Sequence, residues 1–201
     1  MATLLDIVPT ILDWFNIKYP KYSIFRHKPH VSLTGTTLLP LTLKNLNEEY
    51  SDRDHVFASQ SLHEITMYYP MRSVRTQSYK LLHNLNYRMP FPIDQDFYLS
   101  PTFQDILNRT KQALEIPWYK NLTQYYYRPQ WELFSLETDP KELTNLYGQA
   151  EYANVIMDLK LRLNNWQNIT YDPWICAPEG VLEDAGKYKN NPQCMPLYNE
   201  L

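Results

Sequence analysis

The chain has 201 residues, 44% hydrophobic and 20% charged, with a formal net charge of −3. That composition fits a globular chain with a real core, not a disordered one. No long basic run is present, which argues against nucleic acid as a partner. No stretch approaches the roughly 20 apolar residues that a membrane-spanning helix needs. Gly is scarce, at 4, and Pro plentiful, at 15. Phosphate-cradling loops are therefore not indicated, and ordered loops between short elements are.

In chain order, the first predicted element is an amphipathic helix over Leu4 to Ile17. Leu4, Ile7, Val8, Ile11, Leu12 and Phe15 share one face. Asp6 is the expected N-cap, with Pro9 in the first turn and a stop before Tyr19-Pro20. Met1 to Phe15 is not a signal peptide, since it lacks a basic start and Asp6 and Pro9 interrupt its apolar run. Residues 18–54 read as a connector punctuated by Pro20, Pro29, Gly35 and Pro40. The expected boundary between two units falls there, giving regions 1–54 and 55–201.

From His55 the pattern changes to strands. His55 to Gln60, Met71 to Arg75, Tyr79 to Asn84 and Trp131 to Leu136 are rich in β-branched or aromatic residues. Arg72–Thr76 and Tyr79–His83, joined by Gln77-Ser78, predict a hairpin. Pro90 to Phe97 reads as a rigid loop, and Ser100-Pro101 as a capped helix start. Asp139-Pro140-Lys141-Glu142 reads as another, with Asp139 at the cap and Glu142 reaching back to it. The helix that follows, through Ala150 to Trp166, turns Val155, Ile156, Leu159, Leu163 and Trp166 inward, with Asp158, Lys160 and Arg162 on its other face. From Tyr171 the chain is a Pro-rich tail. It holds both cysteines, Cys176 and Cys194. A disulfide there would close a short loop, the alternative being a buried free pair. Three N-glycosylation sequons, at Asn108, Asn121 and Asn168, suit a secretory route.

Several segments resemble one family. Leu5-Asp6-Ile7-Val8-Pro9-Thr10-Ile11-Leu12-Asp13 is similar to the helix that closes the large domain of sulfatases. Trp131-Glu132-Leu133-Phe134, Asp139-Pro140, Glu142 and Asn145-Leu146 resemble the sulfatase C-terminal signature. Narrower still are Ser59-Gln60-Ser61-Leu62-His63-Glu64, Tyr69-Pro70-Met71-Arg72-Ser73-Val74-Arg75, Met89 to Tyr98, and Asp172-Pro173-Trp174-Ile175-Cys176-Ala177-Pro178. These resemble the heparan N-sulfatase branch of the sulfatase family.

The resemblance implies an α+β architecture of the alkaline phosphatase/sulfatase type. A small antiparallel sheet would pack on a long helix, preceded by the last helix of a large α/β domain. It implies hydrolysis of N-linked sulfate on a terminal glucosamine of heparan sulfate, in the lysosome. In that family a cysteine matured to formylglycine attacks sulfur beside a bound calcium. Maturation needs Cys-x-Pro-Ser/Ala-Arg. Here Glu179-Gly180 breaks the motif after Cys176-Ala177-Pro178, and Leu197-Tyr198 breaks it after Cys194-Met195-Pro196. Both cysteines are therefore read as a disulfide pair.

The family's metal-binding Asp and Asn residues do not map here either, and no metal ligands are expected in this chain. Asp94-Gln95-Asp96 lacks the Gly and further ligands of a calcium loop, and the five histidines lack zinc spacing. This chain alone is expected to be inactive, with its nucleophile and calcium in a missing N-terminal domain. Its Leu4 to Phe15 face is expected to be exposed. An acidic sugar needs Arg or His for its charge, carboxylates for its hydroxyls and a ring to stack on. His63, Glu64, Arg72, Asp172 and Trp174 are the expected pocket rim. The structural alternative is a Glu64–Arg72 ion pair with Trp174 in the core. The family also implies heparan sulfate fragments as ligand and a possible homodimer. A non-catalytic glycan- or partner-binding module, or part of an O-sulfatase, is the competing reading.

Overall fold

The computed structural model describes residues 1–23, 31–42, 53–62, 64 and 67–197. It divides into two compact units, Met1–Val56 and Phe57–Leu201.

In the first unit a 3-10 turn, Leu4–Asp6, leads into α1 (Ile7–Trp14), and a short α2 spans Leu39–Thr42. Asp6 does not cap the helix with its side chain as expected. Its buried carboxylate instead accepts from the Thr3 N–H at 3.0 Å and the Thr36 N–H at 2.8 Å, and pairs with Arg53 at 3.5 Å. Thr10 Oγ1 accepts from the Leu38 N–H at 2.9 Å. These bonds tie the polar side of α1 to residues 36–42 and to Arg53. The helix ends at Trp14, short of the expected Ile17, and Asn16 at φ 53° breaks it in the left-handed region. Leu4, Ile7, Val8, Ile11, Trp14 and Phe15 are exposed, Leu4 at 83%.

The second unit is built on a four-stranded sheet. Its strands are β1 (His55–Leu62), β2 (Tyr68–Thr76), β3 (Tyr79–Asn84) and β4 (Trp131–Ser135), in the order β1-β2-β3-β4. The expected hairpin forms, with Arg72 opposite His83 and Val74 opposite Leu81. β3 pairs antiparallel with β4, placing Leu81 opposite Leu133 and His83 opposite Trp131. Because side chains alternate along strands, Val74, Leu81 and Leu133 share a face with Arg72, His83 and Trp131. The long helix, α6 (Ala153–Ile169), covers that face. Leu159 and Leu163 join Val74, Leu81 and Leu133 in one core, flanked by Phe57, Val155, Ile156 and Trp166. Trp166 stacks on Phe57 at 5.1 Å.

No helix starts at Asp139. Its carboxylate accepts from the Leu143 and Thr144 N–H groups at 2.7 and 2.8 Å, and Glu142 sits at φ 56° with its carboxylate on Lys80 Nζ. These are loop bonds, and a positive φ excludes a helical turn there. Asn145 then completes the exposed edge of β4. Its amide oxygen accepts from the Leu133 N–H at 2.9 Å and its amide nitrogen donates to the Trp131 carbonyl at 3.0 Å. The edge is thereby paired rather than left open.

Between β3 and β4 lie α3 (Gln95–Leu99), α4 (Pro101–Lys111) and α5 (Leu122–Tyr126). Asp94 caps α3, where a loop was expected, by accepting from the Phe97 N–H at 3.0 Å. Ser100 caps α4 as its sequence predicts, accepting from the Phe103 N–H at 3.2 Å. Asn121 and Gln124 form a reciprocal capping box on α5. The tail is not irregular throughout. It folds a second hairpin, β5 (Gly180–Glu183) with β6 (Gln193–Pro196), and a Cys176–Cys194 disulfide joins it to the preceding turn.

Candidate functional site

The end of α6 builds the site. Tyr171, at φ 54°, reverses the chain after the helix and sends Asp172 back beneath β2. There Arg72 and Asp172 meet as a bidentate pair. Arg72 Nε donates to Asp172 Oδ2 at 2.6 Å and Nη2 donates to Oδ1 at 2.8 Å. Both are buried, at 5% and 7% exposure. Arg72 Nη1 donates to the Gln60 and Met71 carbonyls, and Gln167 Nε2 donates to Asp172 Oδ2 at 3.0 Å. Burial works against the Asp172 carboxylate. Hydrogen bonds from Arg72, Gln167 and the Trp174 N–H outweigh it and hold the pKa below the usual carboxylate value. The group is ionised and saturated.

Of the residues expected at the rim, the structure brings Arg72, Asp172 and Trp174 together. Arg72 and Asp172 are occupied with each other, so they position the site from below. The ion pair is Arg72–Asp172 and not Glu64–Arg72. Glu64 is exposed, and His63 lies outside the described residues. Trp174 is not in the core, being 36% exposed. Its N–H donates to Asp172 Oδ1 at 3.1 Å, which fixes its backbone to the buried pair.

Above the pair, the Trp174 ring lies 5.7 Å from Tyr68 at a tilt of 51°. The two flank a cleft of about 260 Å³. Pro70, Leu85, Ala177, Pro178, Val181 and Leu197 form apolar walls, with Asn86, Tyr87 and Arg88 along one side. Arg88 Nε donates to Tyr87 Oη at 3.2 Å. Gly180 also lines the cleft. A Cβ there would lie 2.7 Å from the Met195 carbonyl oxygen, so the tail hairpin closes only around glycine. Tyr68, Asn86 and Arg88 were not singled out in the sequence. They belong to β2 and the turn after β3, and nothing local ties them to a tail a hundred residues on.

A second buried cluster sits farther along the same sheet face. His83 stacks on Trp131 at 3.7 Å, and Lys160 Nζ lies 4.1 Å above the Trp131 ring and donates to Tyr147 Oη. Burial first, then the nearby Lys160 and Arg72 charges, push the His83 pKa down to about 3. His83 is neutral in the folded protein at ordinary pH.

Both cysteines are in the disulfide, so neither offers a thiolate. No group of three or more His, Cys, Asp or Glu among the described residues is placed to hold a metal ion. No described helix is long and apolar enough to cross a membrane. Asn108, Asn121 and Asn168 are all exposed.

Residues 95–169 match a protein-family model described as N-sulphoglucosamine sulphohydrolase, C-terminal. The chain is 53% identical over 200 residues to human N-sulphoglucosamine sulphohydrolase, covering 100% of this chain and 38% of that protein. It is 26% identical over 172 residues to an ulvan-active sulfatase of Formosa agariphila, covering 83% of this chain and 25% of that protein. A solved 2-O GAG sulfatase superposes with a TM-score of 0.50 at 17% identity, over 84% of this chain and 25% of its own. The chain thus spans 38% or less of the length of these relatives.

Proposed function

We propose, from a chain that carries the C-terminal region of a sulfatase and resembles N-sulphoglucosamine sulphohydrolase along its whole length, that it completes a lysosomal sulfamidase. The reaction is hydrolysis of the N-linked sulfate from a terminal glucosamine of heparan sulfate. The observation that carries this reading is the 53% identity sustained over 200 residues. Identity at that level carries the fold over the whole chain.

In this reading the formylglycine nucleophile and the calcium belong to an N-terminal sulfatase domain. Among the described residues no three His, Cys, Asp or Glu side chains come together as a calcium site would need. The segment instead supplies a wall of the substrate pocket. His63 and Glu64, which fall between β1 and β2 in the sequence, address the sugar. Arg72 and Asp172 hold Trp174 in place beneath it. The three exposed sequons carry glycans, and two copies of the whole protein form a homodimer.

The test is sulfate release by the longer polypeptide that includes this chain, on N-sulfoglucosamine and on glucosamine 6-O-sulfate. Release from the first and not the second supports the reading. Release from the ester alone moves the protein to the O-sulfatases. In the same polypeptide, Glu64→Ala raises KM without unfolding; loss of folding alone removes Glu64 from the site.

A further inference from the structure

We infer that an N-linked glycan on Asn168 folds back along the outer face of α6 and seats its first sugar rings on Leu161 and Met157. The inference rests on the secretory route of the sulfamidase reading for the modification, and on the helix for where the glycan lies.

Helix geometry sets the line. Asn168 follows Leu161 by seven residues and Met157 by eleven. At 3.6 residues per turn, both fall within about 20° of Asn168 around the axis, about 10 Å and about 16 Å toward the N-terminus. Side chains on a helix lean toward its N-terminus. Asn168 does so, its Nδ2 donating to the Asn164 carbonyl at 2.9 Å. A group attached to Nδ2 therefore sets out toward Leu161.

Chemistry sets the occupant. Leu161 and Met157 are 59% and 67% exposed, an apolar step on the face turned away from the sheet. The exposed positions between Leu161 and Asn168 are Asn164 and Asn165, and neither is charged. An N-acetylglucosamine ring has an apolar C–H face that fits Leu161 and Met157. Its hydroxyl and acetamide groups fit the two asparagine amides. No charge on this track has to be desolvated. The attachment point is fixed, so seating costs less ordering than capture of a free sugar.

The transfer joins Asn168 Nδ2 to the anomeric carbon of a lipid-pyrophosphate-linked oligosaccharide. The C–N bond forms, the lipid pyrophosphate leaves with the C–O electron pair, and Nδ2 gives up one proton. Nδ2 keeps its second N–H, so the bond to the Asn164 carbonyl survives the modification. In the folded helix the Thr170 hydroxyl of the sequon is held on the Trp166 carbonyl at 2.8 Å, so the transfer precedes the closing of that turn.

The experiment uses the longer polypeptide that includes this chain, secreted from a glycosylating eukaryotic cell. Peptide mass spectrometry after glycosidase release in heavy-oxygen water reads whether Asn168 carries a glycan. Dilute peroxide then oxidises the exposed methionines of the wild type and of Asn168→Gln, which lacks the glycan and keeps an amide. Met157 is expected to oxidise at least about twofold more slowly in the glycosylated wild type, since oxidation follows exposure. Met89, 56% exposed after β3, reacts equally in both. Trimming the glycan to one sugar restores the Met157 rate, because a single ring stops short of it. A bare Asn168, equal Met157 rates, a rate unmoved by trimming, or a Met89 rate that falls with that of Met157 overturns the proposal. Sulfate release by a polypeptide with a bare Asn168 sinks the inference and leaves the sulfamidase reading. A shielded Met157 without sulfate release does the reverse.

Discussion

Replacing Asp172 with Asn isolates the buried pair at the base of the site. The substitution preserves shape and keeps an acceptor for the Trp174 N–H. It removes the charge and sets an amide N–H₂ against an Arg72 that is 6% exposed. Deleting one partner of a buried ion pair is strongly destabilising, by about 3–5 kcal/mol, because the other charge is left buried and uncompensated. The isosteric change belongs at the lower end, about 3 kcal/mol. With a urea slope of about 2 kcal/mol/M, the unfolding midpoint moves down by about 1.5 M. Tryptophan fluorescence during urea titration at pH 7 reads this, since Trp131, Trp166 and Trp174 all lie in the second unit. The double variant Arg72→Met with Asp172→Leu should recover much of the loss, because an apolar pair needs no neutralising partner. The folded-state pKa of Asp172 is lowered, so its stabilisation is present above the unfolded value. It is lost as pH falls through the folded pKa. A midpoint shift below about 0.5 M at pH 7 would refute the claim that this pair anchors the site.

Three further outcomes follow from the same structure. His83 has its folded pKa lowered to about 3 from 6.5, so the unfolded chain binds its proton first as pH falls. Stability tied to His83 is full above pH 6.5 and declines toward pH 3; between pH 7 and 4.5 the wild type should lose about 2–3 kcal/mol that His83→Phe keeps, read as a difference in urea midpoints. Leu163→Ala, at 1% exposure in the core between α6 and the sheet, should cost about 2–5 kcal/mol by chemical denaturation. Cys176→Ser with Cys194→Ser opens a loop closed across 18 positions and should lower stability by about 3 kcal/mol. Hydrogen exchange should then rise in β5 and β6, and an unchanged exchange rate there would contradict the disulfide's role in holding the hairpin.

Much of the sheet was legible because its code is local. Val74 and Thr76 before Gln77-Ser78, and Tyr79 and Leu81 after it, specify a hairpin, and Ser100-Pro101 specifies a helix start. Asp139-Pro140-Lys141-Glu142 has the same local grammar and failed. Lys80 on a neighbouring strand takes the Glu142 carboxylate, and Asn145 is held by β4. Tertiary bonds won over propensity. The tail hairpin was hidden because strands of four residues, interrupted by Cys and Pro, carry too little periodicity to register. At the site, Arg72, Asp172 and Trp174 were expected as rim residues from the groups an acidic sugar needs, but their arrangement was not legible. Arg72 and Asp172 are 100 residues apart, and no sequence period links an arginine to a partner at that distance. Arg88 was not singled out for a related reason, since the cleft it lines is built from segments distant in sequence.

Sulfate release from N-sulfoglucosamine, measured for this 201-residue chain alone and for the same chain joined to a sulfatase N-terminal domain, bears most directly on the central claim. The account predicts none from the chain alone, whose two cysteines are locked to each other, and turnover once the domain that supplies nucleophile and metal is attached. Turnover by the isolated chain would contradict it.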